Sequence, residues 1–349
     1  MNWHDPAIEI YFGSSHESDR PDACRSMAVI LALAGGVGGS RFANGLAKCL
    51  SSSSLIIAVN TGDDFEHLGL FVSPDVDTVM YTLAGRNNPV TGWGLADESW
   101  HFMDALGKLG GETWFRLGDH DLATHVQRTR RMREGFTLSE VTSQLCTAFG
   151  VQHPIVPMSD QRVATFLNTN LGRLAFQDYL VRHRCMPIVE SVEYAGAADA
   201  SPSLGLASAL TTPSLRAILI APSNPYLSVG PILAIPGVRQ AIAATDVPVV
   251  AVSPIIAGEA VKGPLAKMLC EFGHSASASA IAMTYHGVID GLVIDERDRN
   301  LRSAIEAQGV AVHIANTLMR DTDDQTRLAH SVLEFVTSLP YPLRRSAMA

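Results

Sequence analysis

The sequence predicts an α/β fold: a Rossmann-like, doubly wound and mostly parallel sheet of about six strands, with a smaller mixed region inserted into it. Three observations predict this fold. Short apolar runs rich in β-branched residues recur along the chain, helix-like segments separate the later runs, and a glycine-rich stretch follows the first run. Apolar strands that alternate with helices are typical of a parallel sheet covered on both faces.

The apolar runs define six predicted strands, each of which ends at a turn signal. They are Ala28–Leu33, Leu55–Val59, Arg216–Ile220, Pro248–Val252, Gly291–Ile294 and Val310–Ile314. Helical periodicity predicts helices over Leu138–Phe149, with Thr137 as N-cap, and over Val238–Ala244 and Leu265–Phe272. Between residues 136 and 210 the pattern is mixed, and Phe176–Arg182 and Ile188–Tyr194 are interpreted as strands of a smaller subregion.

The chain is expected to form one main domain. Residues 1–26 are polar and lack periodicity, which indicates a flexible N-terminal extension. Residues 27–349 make up the Rossmann-like domain, and the mixed subregion at about 136–210 belongs to it.

The glycine-rich stretch that follows the first strand indicates a phosphate or nucleotide site. Backbone N–H groups at a strand–turn–helix junction bind anions, and the candidate residues here are Gly35, Gly36, Gly38, Gly39 and Ser40. Arg41 stands where a dinucleotide fingerprint needs its third glycine, and no lysine follows as in a P-loop. A tight turn without any ligand is the alternative.

Three further predicted strands end in polar loops, after Val59, Ile220 and Val252. Ligands bind outside the carboxyl ends of the strands in an open parallel sheet, so these loops and the glycine stretch are expected to meet at one cleft. Ser223 and Asn224 offer hydrogen bonds from the loop that follows Ile220.

Two acidic pairs follow the second strand, Asp63 with Asp64 and Asp75 with Asp77. Such carboxylates hold Mg²⁺ or orient and deprotonate an attacking hydroxyl. The alternative interpretation makes them solvated turn residues, with Asp77 capping a helix that starts near Thr78.

A dense segment from Trp114 to Arg133 combines aspartates, histidines and arginines. Its spacing matches no standard zinc ligand set. The arginines suit either a phosphate site or the solvated face of a helix, and the second interpretation is favoured for Arg131 and Arg133.

Composition excludes several classes of protein. The chain has 349 residues, is 47% hydrophobic and carries a net charge of −9, which argues against broad electrostatic binding to nucleic acid or to an anionic membrane. Its five cysteines form no CxxC pair, so reduced thiols in a cytoplasmic protein are expected. The longest apolar stretch is interrupted by prolines, and no membrane span is predicted.

Taken together, these motifs resemble those of the 2-phospho-L-lactate transferase family, which acts in coenzyme F420 biosynthesis. The matching blocks run from about residue 34 to 264, with VIDERDR near 293 extending the match. They are AGGVGGSRF, VNTGDD, HLGL, SPDVDTVMYTLAG, GWG, WFRLGDHDLATHVQRTRRM, PMSDQRV, FQDYLV, APSNPYLSVGPILAIPG and VSPIIAGEAVKGP.

The resemblance implies a reaction. In this family a phospho-acid (2-phospho-L-lactate, phosphoenolpyruvate or 3-phosphoglycerate) passes from its guanosine-diphosphate-activated form to the ribityl hydroxyl of the deazaflavin Fo, GMP leaves, and Mg²⁺ is required. The resemblance places Fo against Asp77, the second acid of the SPDxDT motif, and against Arg116, before Leu-Gly-Asp. We assign metal and catalytic roles to Asp63 and Asp64, a catalytic role also to Asp77, and the guanosine diphosphate part to Ser223 and Asn224.

The sequence also departs from the family, and other classes of protein stay open. Residues 1–26 have no counterpart, and His120 stands where arginine is more usual. A homodimer is expected from the family. One alternative is a nucleotide-sugar-binding regulatory protein of the related gluconeogenesis-factor family. A nicotinamide-dependent oxidoreductase is suggested by the fold alone, and the glycine spacing argues against it.

Overall fold

A computed structural model describes residues 28–340, so the predicted extension 1–26 lies outside the described residues. In chain order the strands are β1 Val29–Ala34, β2 Leu55–Val59, β3 Phe65–His67, β4 Leu70–Val72, β5 Ile155–Pro157, β6 Ala164–Thr169, β7 Gly172–Ala175, β8 Val189–Ala195, β9 Leu215–Ile220, β10 Val249–Val252, β11 Ile255–Ile256, β12 Glu259–Ala260, β13 Gly291–Asp295 and β14 Ala311–Ala315.

Seven of these strands form one parallel sheet in the order β14-β13-β10-β9-β1-β2-β5. The prediction of a Rossmann-like sheet is confirmed, and all six predicted strands are present in it. The seventh, β5, was missed because it has only three residues and ends in a proline. At that length a strand carries almost no periodic signal.

Helices cover both faces of the sheet. They are α1 Gly36–Cys49, α2 Pro74–Leu83, α3 His101–Lys108, α4 Asp119–Arg133, α5 Leu138–Ala148, α6 Leu204–Thr211, α7 Gly230–Ala234, α8 Val238–Ala244, α9 Leu265–Glu271, α10 Ala278–Thr284, α11 Arg302–Glu306 and α12 Thr322–Ser338. The predicted cap of α5 is confirmed, because Thr137 forms a reciprocal capping box with Glu140.

Alternate residues of β1 belong to two separate cores. Leu31 and Leu33 pack on the face that α8 and α9 cover, while Ile30 and Ala32 pack on the face that α1 and α12 cover. Successive side chains of a strand point to opposite faces, so an apolar residue is needed at every position. This double burial explains why β1 is an unbroken apolar run.

The chain order of the strands reverses next to β1. From β1 the chain moves to β2 and then β5 on one side, and the later strands β9, β10, β13 and β14 extend the other side. The loops that follow β1 and β9 therefore lie side by side at the switch point, where a crevice opens in doubly wound sheets.

Three small antiparallel sheets decorate this core: β3 with β4, β11 with β12, and β6 flanked by β7 and β8. Strand β8 confirms the interpretation of Ile188–Tyr194, whereas Phe176–Arg182 is not a strand. A π-helical turn spans Asp178–Arg182. The buried residues Phe176 and Tyr179 are three positions apart, which is a helical spacing. Their three-residue separation places both on one face of a helix but on opposite faces of a strand.

Within residues 28–340 no single helix is long and apolar enough to cross a membrane; the segments Pro225–Ala234 and Val238–Ala244 reach that length and hydropathy only as a pair, and they meet at an angle of 92°.

Candidate active site

A cavity of about 470 Å³ opens at the carboxyl ends of the central strands. The loops after β1, β2, β9 and β10 all contribute to its wall, which confirms the expected convergence. The segment after β14 also contributes, through Thr317 to Met319, and so do α4 and the π-helical turn after β7. The cavity lies at the topological switch point, the position at which open α/β sheets bind ligands.

The glycine stretch forms the turn into α1 and its first turn. Gly36 has a φ of +65°, a conformation that favours glycine. A Cβ at Gly38 would lie 2.3 Å from the carbonyl oxygen of Pro222, so only glycine lets this turn approach the loop after β9. These two glycines are therefore required by the geometry of the backbone.

Two backbone N–H groups of this turn already have protein partners. Gly36 donates to Oδ1 of Asp75 at 2.7 Å, and Gly35 donates to Oγ of Ser223 at 3.3 Å. A carboxylate at the start of α1 takes the position that the sequence suggested for a phosphate. An anionic ligand would have to share these donors or bind to other groups.

The predicted phosphate-binding residues divide into two sets. Gly35, Gly36 and Gly38 line the cavity, as do Ser223 and Asn224, whereas Gly39 and Ser40 are not part of its wall. A Cβ at Gly39 would meet Oγ of Ser223, and the Ser40 hydroxyl donates to the carbonyl oxygen of Val37. Gly39 and Ser40 thus make contacts within the protein.

Ser223 and Asn224 brace the loop after β9 as well as facing the cavity. The Ser223 hydroxyl donates to the carbonyl oxygen of Gly35 at 2.7 Å, and Oδ1 of Asn224 accepts from the backbone of Tyr226 and Leu227. The Asn224 contacts cap a helical turn. Ser223 therefore ties the loop after β9 to the glycine turn, and Asn224 fixes the helical turn that follows it.

Asp63 and Asp75 form a buried carboxylate pair that we call the uncompensated pair, because Asn60 rather than a cation bridges them. The Nδ2 group of Asn60 donates to Oδ1 of Asp63, and to Oδ2 of Asp75 at 2.9 Å. Burial raises the pKa of Asp75 to about 6, and burial with repulsion from Asp75 and Asp64 raises the pKa of Asp63 well above its usual range.

Asp64, unlike Asp63, does not line the cavity. Its Oδ1 accepts a hydrogen bond from the Ser73 hydroxyl at 2.8 Å, and its Oδ2 is buried without a hydrogen-bond partner among residues 28–340. Burial raises its pKa well above the ordinary value. An orphaned, buried carboxylate oxygen suits a bound cation or a protonated acid.

Asp77 lies in the first turn of α2, three residues after the helix begins at Pro74. The interpretation of Asp77 as an N-cap is therefore wrong, because Ser73 occupies the cap position. Both oxygens of Asp77 accept from the guanidinium of Arg128, which is fully buried. This fork-to-fork geometry is among the strongest pairings of side chains in proteins.

His125 extends this arrangement to a second acid. Its Nδ1 lies 3.7 Å from Asp77 Oδ2, and its Nε2 lies 3.3 Å from Asp121 Oδ2. The Tyr81 hydroxyl donates to the other oxygen of Asp121 at 2.6 Å. We call Asp77, Asp121, His125, Arg128 and Tyr81 the compensated group.

The pKa values of the two acids in the compensated group are shifted in opposite directions. Burial raises the pKa of Asp77 against the opposing effect of Arg128. Burial acts the same way on Asp121, but hydrogen bonding and charge from His125 outweigh it and lower the pKa of that carboxyl. The ligand atoms of Asp77, Asp121 and His125 all lie within 4.8 Å of one another, so these three residues could also hold a metal ion.

Arg116 lines the cavity, as the position of a ligand contact requires, and its guanidinium lies 4.2 Å from the ring centre of Trp100. Apolar side chains complete the adjoining wall, among them Phe115, Phe176 and Leu180. Aromatic and aliphatic walls with a few polar groups are typical of sites for planar organic ligands. By contrast, His120 is exposed and lies outside this wall.

The sequence interpretation missed several residues of the site. Asp121, His125 and Arg128 all lie on α4, and Asp121 and His125 are four residues apart, on one helix face. That spacing is the signal that would have found them. Arg131 and Arg133 lie outside the cavity, in agreement with the prediction of a solvated face.

Comparison with known proteins identifies relatives over most of the chain. A family profile described as 2-phospho-L-lactate transferase CofD matches residues 30–332. A phosphoenolpyruvate transferase of Streptomyces coelicolor is 41% identical over 310 residues, which cover 87% of this chain and 97% of that protein. A 2-phospho-L-lactate transferase of Methanopyrus kandleri is 40% identical over 311 residues, with coverage of 88% and 97%.

Solved structures support the fold. A crystal structure of a member of the UPF0052 family from Bacillus halodurans superposes with a TM-score of 0.59 at 14% identity, covering 88% of this chain and 99% of the other. At that identity the likeness concerns the architecture alone.

Proposed function

This chain belongs to the 2-phospho-L-lactate transferase family, and on that premise we propose that it transfers a phospho-acid from its guanosine-diphosphate-activated form to the ribityl hydroxyl of Fo. The hydroxyl oxygen forms a bond to the phosphorus that carries the acid. The bond between that phosphorus and the bridging oxygen of GMP breaks, so GMP leaves. The hydroxyl proton passes to a carboxylate of the site.

One observation supports this proposal above the others: a single cavity combines the glycine turn, two sets of carboxylates and an apolar wall. Phosphoryl-type transfer depends on positioning and charge neutralisation more than on covalent chemistry. The apolar wall with Phe115 and Arg116 suits a flat deazaflavin, and the carboxylates suit a hydroxyl that must lose a proton.

Asp77 is the carboxylate that we assign to orienting the acceptor hydroxyl. It lines the cavity, and the buried Arg128 holds both of its oxygens in one orientation. A carboxylate fixed in this way cannot rotate out of line with its substrate. Arg116, whose guanidinium stacks on Trp100, is assigned to binding the deazaflavin itself.

The residues present fit the Mg²⁺ that the family requires. Asp63 lines the cavity under repulsion from two neighbouring carboxylates, and Asp64, which adjoins it in sequence but does not line the cavity, has a buried oxygen with no partner among residues 28–340. Oxygen ligands of this kind are those that Mg²⁺ prefers. We therefore propose Asp63 and Asp64 as its ligands; when bound, the ion neutralises negative charge on the phosphate oxygens.

The experiment is a transfer assay with purified protein, Mg²⁺ and Fo, in which all three activated acids (phospholactate, phosphoenolpyruvate and phosphoglycerate) compete. We expect a more anionic deazaflavin and an equal amount of GMP, and the mass of the product identifies the acid. The choice of acid needs this test, because relatives with two different acids in their names are almost equally similar. Folded protein that forms no new deazaflavin from any donor would refute the proposal.

A matched pair of variants tests the assigned role of Asp77. Asp77→Asn should lower turnover by roughly 100-fold or more, the usual range for a group that handles a proton or orients a nucleophile. Asp323→Asn, which alters an exposed carboxylate on α12, is the control. Wild-type turnover in a folded Asp77→Asn protein would remove Asp77 from the chemistry.

A further inference from the structure

Two cations that have no part in the proposed transfer step lie on the wall of the cavity. Arg41 lies in the second turn of α1, and Lys262 lies in the loop between β12 and α9. Arg41 donates through Nη1 to the carbonyl oxygen of Met319 at 2.7 Å, and the Lys262 ammonium donates to the carbonyl oxygen of Thr91. Backbone carbonyls from two other loops thus hold these side chains at the cavity.

Neither cation has a carboxylate partner within residues 28–340. Arg128 is neutralised by Asp77, whereas Arg41 and Lys262 bond only to backbone oxygens among the described residues. They are also near enough to repel each other: partial burial, together with the charge of Arg41, lowers the pKa of Lys262. Arginine has five N–H donors and lysine three, so most of their donors stay available.

The glycine turn has few free N–H donors, which leaves a larger part of any anion binding to these two cations. Two of its N–H groups donate to Ser223 and Asp75, so the backbone offers an anion less than the sequence suggested. Arg41 follows that turn directly on α1. An anion drawn to the start of this helix would find its free donors mainly on side chains.

We propose that Arg41 and Lys262 form a cationic rim that binds negatively charged oxygens of the donor substrate. This inference rests on the proposed function and adds the residues that recognise the donor. The oxygens belong either to the diphosphate or to the carboxylate of the transferred acid, which share the same chemistry.

The test compares Arg41→Met and Lys262→Met with Lys48→Met, which removes an exposed cation from the same helix as Arg41. Arg41→Lys keeps the charge and provides a conservative variant should Arg41→Met fold poorly. Calorimetric titration with GDP, GMP and guanosine measures binding to each protein, and steady-state assays give KM for the activated donor.

We expect each Met variant to weaken binding of the anion by roughly 10- to 100-fold, the range for one charge-assisted hydrogen bond. Loss of GDP affinity with guanosine unchanged assigns the rim to the diphosphate. Unchanged GDP affinity with a raised KM for the donor and unchanged kcat assigns it to the acid's carboxylate. If neither GDP affinity nor donor KM differs from Lys48→Met, the inference is overturned.

The same measurements separate this inference from the proposed function. A wild-type protein that binds GDP through Arg41 and Lys262 but transfers nothing to Fo would refute the transfer reaction and leave the rim standing. Normal transfer in both Met variants, with normal donor KM and GDP affinity, would refute the rim and leave the reaction standing.

Discussion

The uncompensated pair and the compensated group lie on the same cavity, yet their electrostatics differ. Asp63 and Asp75 share an amide, Asn60, and burial raises the pKa of both. Burial also raises the pKa of Asp77, but Asp77 is paired with Arg128, and Asp121 is held by His125 and Tyr81. The comparison shows that the neighbouring side chains decide how each carboxylate on this cavity wall ionises and which ligand it suits.

The difference has a physical basis. A buried carboxylate without a cation favours its protonated form or a bound metal ion, because charge is poorly solvated there. A carboxylate paired with arginine stays ionised and fixed in direction. We therefore expect pH and Mg²⁺ to change the stability that the uncompensated pair contributes. We expect substitution of a partner, such as Arg128, to change the stability that the compensated group contributes.

The largest effect is expected from Arg128→Met. Removing the guanidinium leaves the Asp77 carboxylate buried and unpaired, which should cost about 3–5 kcal/mol of unfolding free energy. Urea denaturation measures it. Arg130→Met is the control, since Arg130 is exposed on the same helix and pairs with Glu134 at the surface. Equal stability of the two variants would contradict the proposed difference between the two groups.

The second prediction concerns the pH dependence of the uncompensated pair. Burial raises the pKa of Asp75 to about 6 in the folded protein, above the ordinary value of about 3.9 for an aspartate in an unfolded chain. Between about pH 4 and pH 6 the folded state therefore holds a proton that the unfolded state has released, so stability contributed by this group rises as pH falls. The effect is on the order of 2–3 kcal/mol.

Urea unfolding at pH 4.5, 5.5 and 6.5 in EDTA tests this sign. The wild-type protein should lose more stability on going from pH 4.5 to 6.5 than Asp75→Asn does, because the asparagine does not titrate. Identical pH slopes for the two proteins would show that Asp75 does not carry the raised pKa.

An effect of similar size is expected from Mg²⁺ alone. A saturating concentration, about 100 times Kd, should stabilise the wild-type protein by about 2–3 kcal/mol, seen as a higher Tm. Asp63→Asn should abolish this shift, and Asp121→Asn should keep it. The reverse pattern would place the ion at Asp77, Asp121 and His125 instead.

The smallest effect is expected from Tyr81→Phe, which removes one hydrogen bond from Asp121. The expected cost is about 1 kcal/mol. Tyr285→Phe is the matched control, because the Tyr285 hydroxyl is buried and has no hydrogen-bond partner in the part of the chain that the structure describes. A loss at Tyr285 as large as that at Tyr81 would mean that the Tyr81 contact adds nothing beyond packing.

Sequence reasoning predicted the sheet well because its signals are local. The apolar run of β1 is buried on both faces, and the capping box of α5 lies within four residues. The same reasoning missed β5, which is too short to show a period, and it assigned Phe176–Arg182 to a strand although the buried residues have helical spacing.

The site was predicted only in outline. Asp63, Asp77, Arg116 and Ser223 do line one cavity, as the loops after parallel strands suggested. Gly39, Ser40 and Asp64 do not line it: Gly39 packs against Ser223, and the side chains of Ser40 and Asp64 bond to Val37 and Ser73.

By itself the sequence determined most of the strands and helices of the central sheet, which loops meet at the switch point, and the family to which the chain belongs. Only the tertiary structure decided how the charges pair. Arg128 reaches Asp77 across 51 residues, and Asp75 reaches the glycine turn across 39. The hydrophobic periodicity of a strand or helix is encoded over a few residues. The pairing of buried charges instead follows from the packing of distant elements, because the pKa of each buried group depends on the partner that the fold places next to it.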